Sequence, residues 1–394
     1  MTCLTIWRGC MISGRSIFSF LLAPLAMTET LESPLALVAE LTHRCPLHCV
    51  YCSNPLELTS RATELSTEEW SRVFHEASEL GVLQADFTGG EPLARTDIIE
   101  LVHSARAAKL YVSLISSGLP LDEGKLGRLV LAGLDHFQLS FQGARAETAN
   151  EISGTNTHLA KLRVLDWLKQ HRIAVTLNFV IHRKNIHELE EMLLIVEEHA
   201  PGCVEFASVQ YYGYGLANRE KLLPTRAQLD RCVKILTEAE QRLRGKTRVV
   251  FVVPDYYARY PKPCVGGWGR KLMLISPDGV VLPCHAASVI PRMRFENVKK
   301  RSLRGIWEDS DSFRAFRGQQ WMEEPCKSCD RREVDFGGCR CQAFLLTGDR
   351  AATDPVCSLA PARGSVDRIL RELEETKNRV ATDSIGWVYR KNPA

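Results

Sequence analysis

Three cysteines stand close together in Cys45-Pro-Leu-His-Cys49-Val-Tyr-Cys52, a C-x3-C-x2-C triplet. Three soft thiolates in one loop suit an iron–sulfur cluster, for which cysteines in short runs are the usual ligands. A [4Fe–4S] cube has one iron more than this loop can ligate, so one iron stays open to other chemistry. Electron-transfer ferredoxins place a fourth cysteine in a similar run. Here Ser53-Asn54-Pro55-Leu56 follow, and the next cysteine is Cys203. Zinc is the competing reading. It usually takes four ligands in C-x2-C pairs, and His43 or His48 would have to supply the fourth.

Of the 14 cysteines, most fall in two zones, 45–52 and 264–357. The second zone holds Cys264, Cys284, Cys326, Cys329, Cys339, Cys341 and Cys357, one short of two four-thiolate sites. Zinc-ribbon spacing stays open there. A disulfide scaffold is disfavoured, because such scaffolds are much shorter than this chain. Clustered cysteines in a long chain point instead to metal and to a reducing, cytoplasmic compartment. Cys203 and Cys232 are isolated and read as core residues.

The chain has 394 residues, 45% apolar and 25% charged, with net charge +3. These are values of a globular protein too long for one small core. No Lys/Arg stripe interleaved with aromatics favours nucleic acid as a partner. Ile17 to Ala26 is apolar behind Arg8 and Arg15, like a weak export signal, but it is too short to span a bilayer. Residues 1–26 are read instead as an extension before a start at Met27, which sets Cys3 and Cys10 aside.

The elements that must position the cysteines alternate. Strands are predicted at Leu35–Leu41, Gln84–Phe87, Leu110–Ile115, His136–Phe141, Ala174–Val180 and Val204–Val209. Helices are predicted at Ser66–Leu80, the first with a capping box, and at Asp97–Ala108, Leu121–Ala132, Thr157–Gln170 and Ile186–His199. Six such repeats argue an α/β fold, a parallel sheet with helices outside. Periodicity alone does not separate a barrel from a doubly wound sheet, but either puts ligands at the strands' carboxyl ends. The first strand delivers Cys45 there. Gly89-Gly90-Glu91-Pro92 follows the second strand, and glycines let backbone approach a ligand closely. Ser116-Ser117-Gly118 follows the third strand, Ser140 and Gln142 close the fourth, and His182 after the fifth reads as a surface or structural residue. The loop Gln210–Gly215 either shapes a substrate pocket, the favoured reading, or packs under the second domain. Pro224–Leu243 is a linking helix, Leu272–Ser276 and Val280–Leu282 form a hairpin, and Val366–Asn378 is a closing helix.

The triplet, with Tyr51 before its last cysteine, resembles the signature of radical S-adenosylmethionine (SAM) enzymes. The resemblance implies a partial (β/α)6 TIM-like barrel and a [4Fe–4S] cluster on Cys45, Cys49 and Cys52. In that family the open iron chelates SAM and one electron releases a 5′-deoxyadenosyl radical. Gly89, Gly90 and Glu91 then match the motif that holds SAM's amino group. Ser117, Ser140 and Gln142 match places that contact its ribose or carboxylate. The second zone resembles the Cys-rich SPASM domain, which carries auxiliary Fe–S clusters in peptide-modifying enzymes. Implied domains are 27–245 for the core and linking helix, 246–375 for SPASM, and 376–394 for a tail.

The resemblance narrows over Cys264–Arg270, Pro283–Ala287 and Cys326–Cys341 to the PqqE family of pyrroloquinoline quinone (PQQ) biosynthesis. One auxiliary cluster would take Cys264, Cys284, Cys339 and Cys341. The other would take Cys326, Cys329, Asp335 and Cys357, unless Asp335 only caps a loop. The implied reaction joins a glutamate γ-carbon to a tyrosine ring in the precursor peptide PqqA. The implied partners are the peptide chaperone PqqD and a flavodoxin-type reductant. The alternatives are another SPASM enzyme, sulfatase-maturing or thioether-forming, and a non-enzymatic Fe–S or zinc protein.

Overall fold

The computed structural model describes residues 31–376 and 386–393. The extension 1–26, with its apolar run, lies outside the described residues, as do 377 and 378 of the expected closing helix. Six strand–helix repeats are present. The strands are β1 (Ala36–Thr42), β2 (Gln84–Gly89), β3 (Tyr111–Ser116), β4 (His136–Phe141), β5 (Ala174–Ile181) and β6 (Cys203–Ser208). The helices between them are α1 (Thr67–Glu79), α2 (Ile98–Ala107), α3 (Glu123–Ala132), α4 (Ala146–Ser153), α5 (His158–Gln170) and α6 (Leu189–His199). The predicted capping box of α1 forms: Ser66 Oγ accepts from Glu69 N at 3.2 Å, and Glu69 Oε2 accepts from Ser66 N at 2.8 Å.

Three strands extend the sheet: β7 (Arg248–Phe251), β8 (Leu272–Ile275) and β9 (Val281–Leu282). The order is β7-β6-β5-β4-β3-β2-β1-β8-β9, an open sheet. Neighbours run parallel except β8 and β9, which form the expected hairpin. The strand β7 was not predicted. It is four residues long at the sheet edge, directly after a long helix, so no alternation of useful length announces it. Nor did the sequence indicate α4, whose N-cap position, Arg145, makes no side-chain cap. The hairpin pairs through β8 with β1, Ala36 opposite Leu272. The C-terminal cysteine region is thereby joined to the strand that delivers Cys45.

Alternation along the strands sorts two faces. Phe141, Phe179 and Phe206 lie in register across β4, β5 and β6 with ring centroids 5.3 and 5.6 Å apart. They join Val164, Leu165 and Leu168 of α5 and Met192 and Val196 of α6 in the main apolar core. The other face is polar yet buried: His136, Gln138, Thr176, Asn178 and Glu205. Polar side chains buried on the face away from the helices line an interior lumen, as in a barrel rather than a flat doubly wound sheet. The fold is thus the expected partial barrel, open at its edges.

His136 spans that lumen face, its Nδ1 2.9 Å from Ser113 Oγ and its Nε2 2.9 Å from Thr176 Oγ1. Burial pushes its pKa down to about 4, below the usual value near 6.5. Between those values the unfolded chain binds a proton that the folded chain refuses, so stability falls as pH drops through the window. His136→Gln removes the titration. The stability difference between wild type and His136→Gln should shift against wild type by roughly 2 kcal/mol from about pH 7.5 to about pH 5. Anaerobic urea denaturation measures it; a pH-independent difference would refute the assignment.

Candidate active site and cysteine centres

The loop from Thr42 to Cys52 leaves the carboxyl end of β1 with almost no regular structure, so its shape is imposed by neighbours. The first is the turn after β2. Gly90 N donates to Thr42 O at 2.6 Å and Glu91 N to Arg44 O at 2.8 Å. Gly89 has φ +129°, and a Cβ there would lie 2.2 Å from Thr42 O; a Cβ on Gly90 would lie 2.4 Å from Arg44 O. The close approach these glycines permit is therefore to the chain itself, at the cysteine loop.

The second neighbour is the segment Gln210–Gly215. Gly215 N donates to Cys52 O at 3.1 Å. Gly213, with φ +48°, leaves no room for a side chain, since a Cβ would meet Asn54 O at 2.0 Å. Tyr212 turns the other way, its hydroxyl 3.1 Å from Cys339 Sγ, and Tyr211 stacks obliquely on Tyr256 at 5.3 Å. The loop therefore packs against the C-terminal region and backs the triplet, the less favoured of the two expectations. The third neighbour is Gly386–Pro393, in the predicted tail. Asn392 Oδ1 accepts from Cys45 N at 2.9 Å, and Arg390 N donates to His48 O at 3.1 Å.

Around the triplet the predicted contacts gather. Glu91 is buried, and its carboxylate accepts from Ser116 Oγ at 2.7 Å, Ser117 N at 2.8 Å, Leu93 N at 3.1 Å and the Ser117 hydroxyl. Ser117 thus orients Glu91. Gln142 Nε2 donates to Tyr51 OH at 2.9 Å, and its Oε1 accepts from Lys161 Nζ. Ser140 offers its carbonyl to Lys161 Nζ at 2.7 Å. His182 is fully buried beside the Tyr51 ring, centroids 5.8 Å apart, which corrects its surface placement and leaves the structural reading. His43 Nδ1 accepts from Thr59 N at 2.8 Å and His48 Nδ1 lies 2.7 Å from Arg390 O. Both histidines are thus engaged in holding loops.

The donor chemistry fits a thiolate-bound cluster. Burial pushes the Cys45 thiol far up and Cys49 up to about 11. As free thiols both would stay protonated, and a coordinated metal removes such protons. Two buried cations face them. Lys161 is 1% exposed, and burial pulls its pKa down to about 8 while Cys49, Glu91 and Cys45 hold it up. Sequence reasoning missed Lys161, though a signal was there. It shares the buried stripe of α5 with Val164, Leu165 and Leu168, where a lysine is out of place. Arg390 was missed as well, and a short irregular tail carries no periodicity that could flag it.

The second zone forms two groups. Cys264 contacts Cys284 and Cys339, and Cys341 contacts the same two, with Cys284 and Cys341 sulfurs 3.9 Å apart. Cys326, Cys329, Asp335 and Cys357 line one pocket with Thr353 and Gly337. Asp335 Oδ1 also accepts from Gly337 N at 3.2 Å, so it closes its loop while facing the pocket. Asp354, which no motif marked, is fully buried and accepts from Cys339 N at 2.8 Å and Gln342 Nε2 at 2.9 Å. Cys232 sits in the apolar core as expected, and Cys203 is half-buried at the start of β6.

Comparison with known proteins shows the family and the fold. Residues 39–196 match the Radical SAM superfamily, and residues 264–330 match SPASM, an iron–sulfur cluster-binding domain. The chain is 48% identical over 364 residues to a PqqA peptide cyclase of Granulibacter bethesdensis, covering 92% of this chain and 96% of that protein. It is 52% identical over 341 residues to a PqqA peptide cyclase of Gluconobacter oxydans, covering 86% and 95%. Among solved structures, Streptococcus suis SuiB bound to S-adenosylmethionine shares the fold, with TM-score 0.70, 19% identity and coverage of 83% and 78%. With about half its residues shared along nearly the full length of those cyclases, the chain belongs to the PqqA peptide cyclase family of the radical SAM superfamily.

Proposed function

We propose that this chain is a radical SAM peptide cyclase that acts on the precursor peptide PqqA early in PQQ biosynthesis. The bond formed joins a glutamate γ-carbon to a tyrosine ring. What carries this reading is a cysteine triplet beside a pre-oriented Glu91, together with two further cysteine groups, in a chain so similar to proteins named PqqA peptide cyclase. Cys45, Cys49 and Cys52 would hold the [4Fe–4S] cluster. Glu91, steadied by Ser116 and Ser117, would accept the ammonium of SAM. Gln142 and Ser140, tied together through Lys161, would line the rest of that pocket, with Gly89 and Gly90 fixing the turn.

A cluster and SAM held there would supply, on one-electron reduction, a 5′-deoxyadenosyl radical reactive enough to take an otherwise inert glutamate γ-hydrogen. Forming the carbon–carbon bond and restoring the ring then releases one electron and one proton. Cys264, Cys284, Cys339 and Cys341 would hold one auxiliary cluster suited to such electron traffic. Cys326, Cys329, Asp335 and Cys357 would hold the other. The carboxylate is a harder ligand than thiolate and would set that second centre apart. The chaperone PqqD and a flavodoxin-type reductant complete the proposed cycle in the cytoplasm. Among the described residues no helix is long and apolar enough to cross a membrane.

Anaerobic incubation of PqqA with the reconstituted protein, SAM, a reductant and PqqD should yield peptide lighter by two hydrogens at a Glu–Tyr pair, with 5′-deoxyadenosine released. Deoxyadenosine with unmodified PqqA would reject the substrate. Replacing Cys45, Cys49 and Cys52 together with Ala should abolish SAM cleavage; surviving cleavage would refute the triplet. For Asp335→Ala, electron paramagnetic resonance should show one auxiliary signal changed and the SAM-responsive signal kept. An unchanged spectrum would remove Asp335 from the ligand set.

A further inference from the structure

The segment Gly386–Pro393 runs as a strap across the triplet loop. Asn218 clamps it on both sides of Val388, with Nδ2 donating to Val388 O at 2.8 Å and Oδ1 accepting from Val388 N at 3.0 Å. Trp387 Nε1 donates to Glu151 Oε1 at 2.7 Å, and Tyr389 OH donates to Glu151 O at 3.1 Å. Lys391 N donates to Tyr214 OH at 3.2 Å. These ties hold the strap in one register, and that register inserts Arg390.

Arg390 is 2% exposed. Its guanidinium donates to the His43 carbonyl, to Lys391 O at 3.1 Å and to Asn392 Oδ1 at 3.2 Å. Every one of these acceptors is neutral, and the buried Nε has no partner. Among the described residues no carboxylate forms an ion pair with it. A buried cation without a counter-charge costs several kcal/mol, and an anion beside it would offset that cost. The chain holds the candidate anion alongside. Asn392 Oδ1, which accepts from Arg390, also accepts from Cys45 N at 2.9 Å. Another anchor of Arg390, the His43 carbonyl, lies two residues before Cys45 in the same loop.

We propose that Arg390 is the built-in counter-ion of the cluster held by Cys45, Cys49 and Cys52, carried to it by the C-terminal strap, and that it raises that cluster's reduction potential. This rests on the reading that the triplet holds a [4Fe–4S] cluster. Uptake of one electron from an external low-potential donor makes cluster and thiolates more negative by one charge. A fixed positive charge beside them stabilises the reduced form more than the oxidised one. Arg390 is a positioning residue in this role. Lys161, the other buried cation reaching Cys49, stays in place when Arg390 is altered, so a shift is expected rather than loss of the centre.

The test is an anaerobic redox titration of the SAM-responsive paramagnetic signal, with iron and sulfide counted on the same samples, for wild type, Arg390→Gln and Arg390→Lys. Arg390→Gln should keep its iron and have its midpoint lowered by about 60 mV, a tenfold change in a one-electron equilibrium. Arg390→Lys, which keeps the charge, should titrate with wild type. Full iron with an unchanged midpoint in Arg390→Gln overturns the proposal. If Arg390→Gln loses the cluster, Arg390→Lys decides. Retention at the wild-type midpoint supports the charge, whereas loss or a shifted midpoint shows that the hydrogen-bonding fork matters and overturns it. Replacing the three cysteines with Ala tests the underlying cluster reading separately, by loss of the SAM-responsive signal itself.

Discussion

The structure depends on holding the irregular loop Thr42–Cys52 against the mouth of the barrel by backbone contact. A loop of this kind has no internal ladder to fix its carbonyls, and buried backbone groups must find partners. Thr42 O and Arg44 O find them in the turn after β2, Cys52 O in Gly215, and His48 O in the strap. The clamps from the β2 turn and from Gln210–Gly215 bring one main chain against another, at distances where a side chain would collide. Glycines at 89, 90, 213 and 215 are the means. The cysteine positions are therefore set by three segments remote from one another in sequence, and an error in any of them would be felt at the sulfurs.

Much of the barrel was legible because its strands are short apolar runs and its helices carry clear start signals. Ser66 with Glu69, and Thr225 with Gln228, both close capping boxes. What escaped was non-local. The strand β7 is too short to show alternation, and nothing in the residues of β8 says that it will pair with β1 rather than only with β9. At the strand ends several of the marked residues are engaged with the chain itself. Gly89 and Gly90 were read as making room for a ligand, whereas the room is taken by Thr42, His43 and Arg44. Ser117 was read as a ligand contact, yet its hydroxyl and amide are spent on Glu91. Residue type and spacing can mark a site, but the division between touching a ligand and holding its neighbour is a matter of three-dimensional partners.

The C-terminal region is coupled to the barrel in two ways. One is the continuous sheet, through the pairing of β1 with β8. The other is the segment after β6, which gives its glycines to the triplet loop and Tyr212 to Cys339. A single stretch, Gln210–Gly215, thus touches the peptide unit carrying Cys52 and a sulfur of the second zone. The two cysteine zones are fixed relative to each other by short, buried, mostly polar contacts rather than by a flexible linker. Electron transfer between centres held there would benefit from such direct connections.

Burial of sulfur ligands raises an electrostatic difficulty that the chain meets the same way twice. Thiolates gathered in a low-dielectric interior repel one another and lose hydration, which pushes free thiols toward protonation. At the triplet the response is Lys161 and Arg390. In the second zone it is Arg340, which is 1% exposed and whose charge acts on Cys326. Arg340 donates to the carbonyls of Gly337, Arg350 and Ala352 and stacks over the Trp321 ring at 4.5 Å. Its Nε, like that of Arg390, is buried without a partner. Carbonyl oxygens and a ring face orient a guanidinium without cancelling its charge. A carboxylate partner would have cancelled it. Holding buried arginines by neutral acceptors leaves their charge uncancelled, free to offset the negative charge that a bound centre would bring.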